Sequence, residues 1–235
     1  MLGSFYAGPT SLLTGGRMRL IVLADIHNCL DYLGSVAGEL AAADVVLIAG
    51  DITTFGGQPQ ANTVIGALEA HNPTILAVHG NCDLPTVEEY LDVCEIALDY
   101  RCVKVKGLAF AGLGGSLPAP GSTPNESSED VFEYRLEKLK EEVRTAGPFV
   151  FVSHQPPWGT RLDAVETRHT GSRAIRRFIE ETSPVLAVSG HIHEAVGTDT
   201  LGNTLLLNPG PFRHGRYALV DIDDGQVKGV QLRPQ

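Results

Sequence analysis

The chain has 235 residues, 43% hydrophobic and 20% charged, which is ordinary for a globular protein and enough for one large domain or two small ones. Eighteen basic against 28 acidic residues give a net charge of −10, which argues against broad binding to nucleic acid or to an anionic membrane, where a basic face is expected. A phosphorylated substrate is not excluded, because bound divalent cations can reverse the local field in a cleft.

No apolar run approaches the ~18 residues that a membrane-spanning helix needs. The cysteines Cys29, Cys82, Cys94 and Cys102 form no Cys-x-x-Cys pair, so a reduced, cytoplasmic setting is expected. Residues 1–17 lack the basic and long apolar regions of a signal peptide. They are read as an N-terminal extension without assigned function, ahead of a single domain over 18–235.

In chain order, Leu20 to Ala24 reads as a short buried strand, about Tyr32 to Ala43 as a helix, and Val45 to Ala49 as a second strand. A helix from about Gln60 to Ala70 and a strand from Thr74 to Val78 follow, so this part is β-α-β-α-β and predicts a parallel sheet. Two short strands are expected around Val103 and over Leu108 to Leu113, then a long Gly/Pro/Ser-rich loop from Gly114 to Ser128. Asp130 to Thr145 has helical periodicity with a solvated, charge-alternating face. A strand over Phe149 to Val152, a helix over Gly171 to Glu181 and a strand over Val185 to Val188 come next. The tail is strand-rich over Thr204 to Leu207, Tyr217 to Ile222 and Val227 to Leu232, with Asp224-Gly225 as a hairpin turn. The class is mixed α/β.

Polar residues sit just past the ends of five of these strands, where α/β proteins bind ligands. They are Asp25-Ile26-His27, Gly50-Asp51, Gly80-Asn81-Cys82-Asp83, Ser153-His154 and Gly190-His191-Ile192-His193. Singly, most have duller readings: Asp-x-His as a turn with a helix cap, Gly-Asp and Gly-Asn as turns. His-x-His is more specific, since alternate residues of an extended segment point the same way. No dull reading predicts all five together. Asp25, His27, Asp51, Asn81, His154, His191 and His193 make a mixed nitrogen and oxygen donor set whose number fits two borderline divalent ions.

These motifs, in this order, resemble the calcineurin-like metallophosphoesterase family, whose pattern is Asp-x-His, Gly-Asp, Gly-Asn-His-Asp/Glu, His and Gly-His-x-His. The resemblance covers about Leu20 to Leu207, and Asn208-Pro209-Gly210 also looks like the shorter microbial members. It implies a four-layer α-β-β-α sandwich of two mixed sheets flanked by helices. It implies that Asp25, His27 and His193 hold one metal, that Asn81, His154 and His191 hold the second, and that Asp51 bridges them. The activity implied is phosphoester hydrolysis by a hydroxide shared between two ions, most simply Mn²⁺, with Fe, Ni, Co or Zn as alternatives.

One position departs from the pattern. Cys82 stands where the family usually has His, and a thiol is a weak donor that cannot act as a cationic acid. The leaving-group proton then comes from solvent, His214 or His169, or the substrate has a leaving group that needs none. The resemblance narrows to a Cys-bearing microbial subgroup that tends toward phosphodiesters. The duller reading of Cys82 is a small buried space-filler. Asp83 is a candidate catalytic residue with a weaker orienting role beside Cys82, or it caps the helix over Leu84 to Leu91. His79 reads as a satisfied core or supporting histidine, and Thr53 and Thr54 as substrate donors or a helix cap.

Arg213, His214 and Arg216 form a short basic cluster that is a candidate anion contact or a solvated turn. The expected partner is a small phosphoester, not nucleic acid or a membrane, and monomer and dimer stay equally open. A nuclease, and a metal-binding scaffold without catalysis, are the alternatives to a phosphodiesterase or phosphatase.

Overall fold

The computed structural model describes residues 16–119 and 121–234. The expected N-terminal extension therefore lies outside the described residues except for Gly16 and Arg17.

The first part alternates strand and helix: β1 (Met18–Leu23), α1 (Leu33–Ala42), β2 (Val45–Ala49), α2 (Gln58–Glu69), β3 (Ile75–Val78) and α3 (Pro85–Val93). The middle runs β4 (Cys102–Val105), β5 (Leu108–Leu113), α4 (Glu129–Val143) and β6 (Phe149–Ser153). A short hairpin, β7 (Ala164–Val165) with β8 (Arg168–His169), then precedes α5 (Arg173–Thr182) and β9 (Leu186–Val188). The chain ends with β10 (Gly197–Leu201), β11 (Thr204–Asn208), β12 (Tyr217–Asp223) and β13 (Gln226–Arg233).

Two sheets result. One has the order β13-β12-β1-β2-β3, and the other β10-β11-β9-β6-β5-β4. β1, β2 and β3 are parallel, as the alternating pattern predicts, and β12 joins β1 antiparallel with Met18 opposite Ile222. In the second sheet β5, β6, β9 and β11 are parallel, with β4 and β10 antiparallel at its edges. Both sheets are mixed.

Alternation along the strands builds the layers. Leu20 and Val22 of β1 face the other sheet and pack with Phe110, Val150, Val152 and Val188. Ile21 and Leu23 face outward, against Leu40 of α1, Val64 and Leu68 of α2 and Val87 of α3. On the far side, Phe132 and Leu136 of α4 and Ile175 and Phe178 of α5 cover Phe149 and Phe151. This is the α-β-β-α sandwich. Covering both faces is what makes β2 and β3 continuous apolar runs, and each buried Leu, Val or Phe stabilises by roughly 1.5–3 kcal/mol.

Local chemistry sets the helix starts. Ser128 and Ser172 cap α4 and α5 by accepting from Val131 N and Ile175 N. α2 begins two residues ahead of the expected Gln60, because Pro59 is tolerated in a first turn whose amides have no helical partner. β10 and the β7–β8 hairpin go beyond the expected elements. β10 is largely polar and partly exposed, and β7 and β8 are two residues each, so no apolar alternation marks them.

Candidate metal centre

The C-terminal ends of β1, β2 and β3 from one sheet meet those of β6 and β9 from the other. Asp25 N donates to Gly50 O (3.1 Å), His27 N to Asp51 O (2.9 Å) and Gly190 N to His154 O (3.1 Å). His154 Nδ1 lies 2.8 Å from Ala49 O, a contact that crosses from one sheet to the other. Only glycine allows such an approach at two points. A Cβ on Gly80 would lie 2.1 Å from Asp51 Oδ1, and one on Gly50, whose φ is +85°, would lie 2.5 Å from His154 Nδ1.

Four of the donor residues have positive φ: Asp25 (52°), His27 (51°), Asp51 (51°) and His191 (69°). Non-glycine residues held there cost on the order of 1–3 kcal/mol each, and such strain gathers at functional sites.

The structure brings Asp25, His27 and His193 together, with one donor atom from each inside a 4.8 Å cluster. His193 Nε2 is 3.4 Å from Asp25 Oδ1. Thr54 Oγ1, 3.3 Å from His27 Nδ1, engages one ring nitrogen and leaves Nε2 facing the cluster. Asp25 Oδ2 and His27 Nε2 are buried without a hydrogen-bond partner, which is costly unless a cation satisfies both. Burial pushes the His27 pKa down despite the nearby Asp51 and Asp25 carboxylates, so the ring is neutral, as a ligand must be. The donor set fits a divalent ion.

Asp51 lies between this group and a second one. Its Oδ2 is 3.6 Å from His27 Nε2 and its Oδ1 is 3.5 Å from His154 Nε2. Burial disfavours its charge, yet the His154 and His27 rings beside it and the donated Cys82 N–H hold its pKa well below the usual carboxylate range. His154 is fully buried, and its Nε2 is 2.9 Å from Asn81 Oδ1. Burial alone would lower its pKa, but the Asp51 carboxylate outweighs that and raises it to about 9. His191 completes the group, its ring centroid 5.1 Å from that of His154 and its backbone N donating to Asp25 Oδ1 (3.2 Å). Burial and the neighbouring His154 lower the His191 pKa to about 4.

Cys82 is half-buried, with Sγ clustered beside a donor of His27 and of Asp51. Burial and the Asp51 carboxylate raise its pKa, so it stays a thiol. Asp83 does not cap α3: the residue before that helix is Leu84, and no side chain caps it. Asp83 is instead buried, accepting from Ile52 N (3.2 Å), Thr53 N (2.7 Å), Thr53 Oγ1 (2.8 Å) and Gly80 N (2.8 Å). Those loop amides need an acceptor more than α3 needs a cap. Thr53 is fully buried in that network and is removed from substrate contact, whereas Thr54 stays exposed.

Arg213 and His214 lie on a short 3-10 turn that rests on the end of β1, with Phe212 N donating to Ala24 O (2.8 Å) and Arg213 N to Asp25 O (3.3 Å). Arg213, His214 and Arg216 are not buried. His169 is tied elsewhere, its Nδ1 2.8 Å from Asp163 Oδ1 and its ring edge-on to Trp158. His79 is buried, but the expectation that it is satisfied does not hold: its Nδ1 has no partner among the described residues, and it clusters with Glu88 and Asp99.

Sequence reasoning missed two supports. Asn208 is buried, donating to Ile192 O (2.9 Å), and so fastens the His191–His193 segment. Thr123, Asn125 and Glu126 of the long loop hold the Asn81 segment. Thr123-x-x-Glu126 is a capping-box spacing that could have flagged a local turn, but nothing in the sequence names Asn81 as its partner. A surface hollow of ≈ 730 Å³ lined by Val185, Leu205, Val227 and Val230 contains none of these donors. The centre is marked by chemistry rather than by volume.

Residues 18–225 match the family model of the calcineurin-like phosphoesterase superfamily domain. An uncharacterized protein of Methanocaldococcus jannaschii is 33% identical over 216 residues, covering 88% of this chain and 96% of its own. Among solved structures, one from Thermus thermophilus aligns with a TM-score of 0.69 at 18% identity, over 92% of this chain and 97% of that one. A dimetal phosphatase from Danio rerio aligns at 0.64 and 12% identity, over 92% and 95%. At these identities the structural likeness is one of fold.

Proposed function

Because the chain belongs to the calcineurin-like phosphoesterase superfamily, we propose that it hydrolyses small phosphodiesters at a centre of two divalent cations. One observation carries this reading: donors from five strand ends gather around Asp51, with Asp25 Oδ2 and His27 Nε2 buried and unpartnered. Asp25, His27 and His193 would hold one ion, Asn81, His154 and His191 the other, and Asp51 both. The mixed nitrogen and oxygen set suits Mn²⁺, with Fe, Co, Ni and Zn within the same chemistry. When bound, such ions supply Lewis acidity toward the phosphoryl oxygens and acidify the attacking water.

The chain's own residues do the rest. Burial keeps His27 and His191 neutral, so each offers a lone pair. His154 spends Nδ1–H on Ala49 O and presents Nε2 to the site. Arg213, on the turn that rests on Asp25, supplies positive charge for the substrate's phosphoryl group, Arg216 extends it, and His214 adds a hydrogen-bonding ring beside them. The Cys82 thiol offers a leaving group no cationic acid. That favours diesters, and monoesters only where the leaving group departs without a proton.

No helix among the described residues is long and apolar enough to cross a membrane. A net charge of −10 supports a small free substrate over nucleic acid; the cytoplasmic setting and a monomer or dimer are part of the proposal.

The test is metal analysis together with a substrate panel: bis(p-nitrophenyl) phosphate, cyclic nucleotides, nucleotides, p-nitrophenyl phosphate and single-stranded DNA, each with Mn²⁺, Fe²⁺, Co²⁺, Ni²⁺ and Zn²⁺. Diester hydrolysis, highest with Mn²⁺, is the expected result. Protein that contains none of these metals and stays inert toward the diester with added Mn²⁺ would instead be a scaffold. Cys82→His should raise the monoester-to-diester rate ratio at least about tenfold, since a positioned general acid is typically worth about 10²–10⁴. An unchanged ratio removes the diester preference.

A further inference from the structure

The Gly114–Ser128 loop makes three side-chain or backbone contacts with the Asn81 segment that the proposed chemistry does not use. Asn81 Nδ2 donates to Thr123 Oγ1 (3.0 Å), Asn125 N donates to Asn81 O (3.1 Å), and Asn125 Nδ2 donates to Asp83 O (2.6 Å). Behind Thr123 stands Glu126, whose Oε1 accepts from Thr123 Oγ1 (2.7 Å) and from Thr123 N (2.8 Å).

We propose that Thr123 and Glu126 are positioning residues for one half of the centre: they fix which end of the Asn81 carboxamide faces the cation held with His154 and His191. This rests on the two-cation reading above. The reasoning is one of hydrogen-bond polarity. An ionised carboxylate only accepts, so Glu126 claims the single proton of the Thr123 hydroxyl. Hydrogen bonding to Thr123 holds the Glu126 pKa below the usual carboxylate range, which keeps it in that acceptor state. The hydroxyl then has only lone pairs left for Asn81, and only the Nδ2 end of the carboxamide can use them. Oδ1 is thereby turned toward His154 Nε2, at 2.9 Å. A flipped carboxamide would aim two N–H groups at a cation.

The contacts are one-sided. The loop touches Asn81 and Asp83, whereas Asp25 and His27 take their support from Thr54 and from the β1 and β2 ends and the His193 segment takes its support from Asn208. The relay thus sets the affinity of one cation and not the other. Supporting residues of this kind are worth about 10–100-fold in metal affinity.

The experiment is calorimetric titration of metal-stripped protein with Mn²⁺. Wild type should bind two ions, His27→Ala should retain chiefly the Asn81-side ion, and His191→Ala chiefly the other. Adding Thr123→Val to His27→Ala should weaken the remaining ion about 10–100-fold, and adding it to His191→Ala should change affinity by less than about twofold, on the same scale. Thr123→Ser, which keeps the hydroxyl, should restore wild-type binding, and the Tm of the metal-stripped variants should match that of their parents. Equal weakening in both backgrounds, or Thr123→Ser behaving like Thr123→Val, overturns the relay while leaving the two-cation reading intact. Wild type that fails to bind two ions sinks that reading and the relay with it.

Discussion

The two halves of the centre differ at Asp25 and His27 on one side and at His154 and Asn81 on the other. Asp25 and His27 are set by backbone: both have positive φ, and each leaves a buried donor atom unpartnered. On the other side, His154 and Asn81 are set by hydrogen bonds to their side chains, with His154 between Ala49 O and Asn81 Oδ1 and Asn81 between His154 and Thr123. A cation entering the first half gives up no hydrogen bond at those two atoms. One entering the second must displace the proton that Asp51 stabilises on His154. The first half should therefore bind more tightly and with less dependence on pH.

Asp51, which both halves share, should give the largest effect. Asp51→Asn should lower diester hydrolysis by at least about 10³-fold, on the scale of losing a principal catalytic group, and reduce bound metal below two ions per chain. Retention of both ions would mean that the halves do not meet at Asp51. Next comes the backbone approach that sets the two loops against each other. Gly80→Ala should lower stability by about 1–3 kcal/mol, as overpacking does, because its Cβ would lie 2.2 Å from Asp51 N. Chemical denaturation of the metal-stripped protein measures this, and an unchanged midpoint would mean that the two loops separate at no cost.

A further contrast lies in the pH dependence of the second half. His154, raised to about 9 from an ordinary 6.5, binds a proton more tightly when folded. Its contribution to stability is complete below about 6.5 and lost as pH rises through 9. His191, lowered to about 4, is the reverse: unfolding lets it take up a proton, so stability falls as pH drops from 6.5 toward 4. Together they predict a stability maximum near pH 6.5 in metal-stripped protein. His191→Asn should flatten the acid limb, and bound Mn²⁺ should flatten the alkaline one. An alkaline limb that survives metal loading would place the relevant proton elsewhere.

Legibility in the sequence falls with distance along the chain. β1, β2 and β3 are readable because burial on both faces leaves uninterrupted apolar runs, and the donors are readable because they immediately follow such runs. Asp83 has the local signature of a cap, an acidic residue ahead of a Pro-initiated helix, and that signature misleads. Its actual partners at Ile52 and Thr53 lie 31 and 30 residues away. Thr123 acts on Asn81 across 42 residues, a pairing that only the completed fold reveals. β10 escapes notice because a half-exposed edge strand carries no apolar signal.

The pairing of β1 with β12 has a consequence for how the protein is made. A chain emerging from the ribosome has displayed its last donor by His193, yet β1 gains its antiparallel partner only when Tyr217–Asp223 arrives. The turn that rests on Ala24 and Asp25 also comes late, at Phe212 and Arg213. Contacts this distant in sequence form slowly. Every proposed donor is thus translated before the pairing of β1 with β12 that closes the scaffold around it.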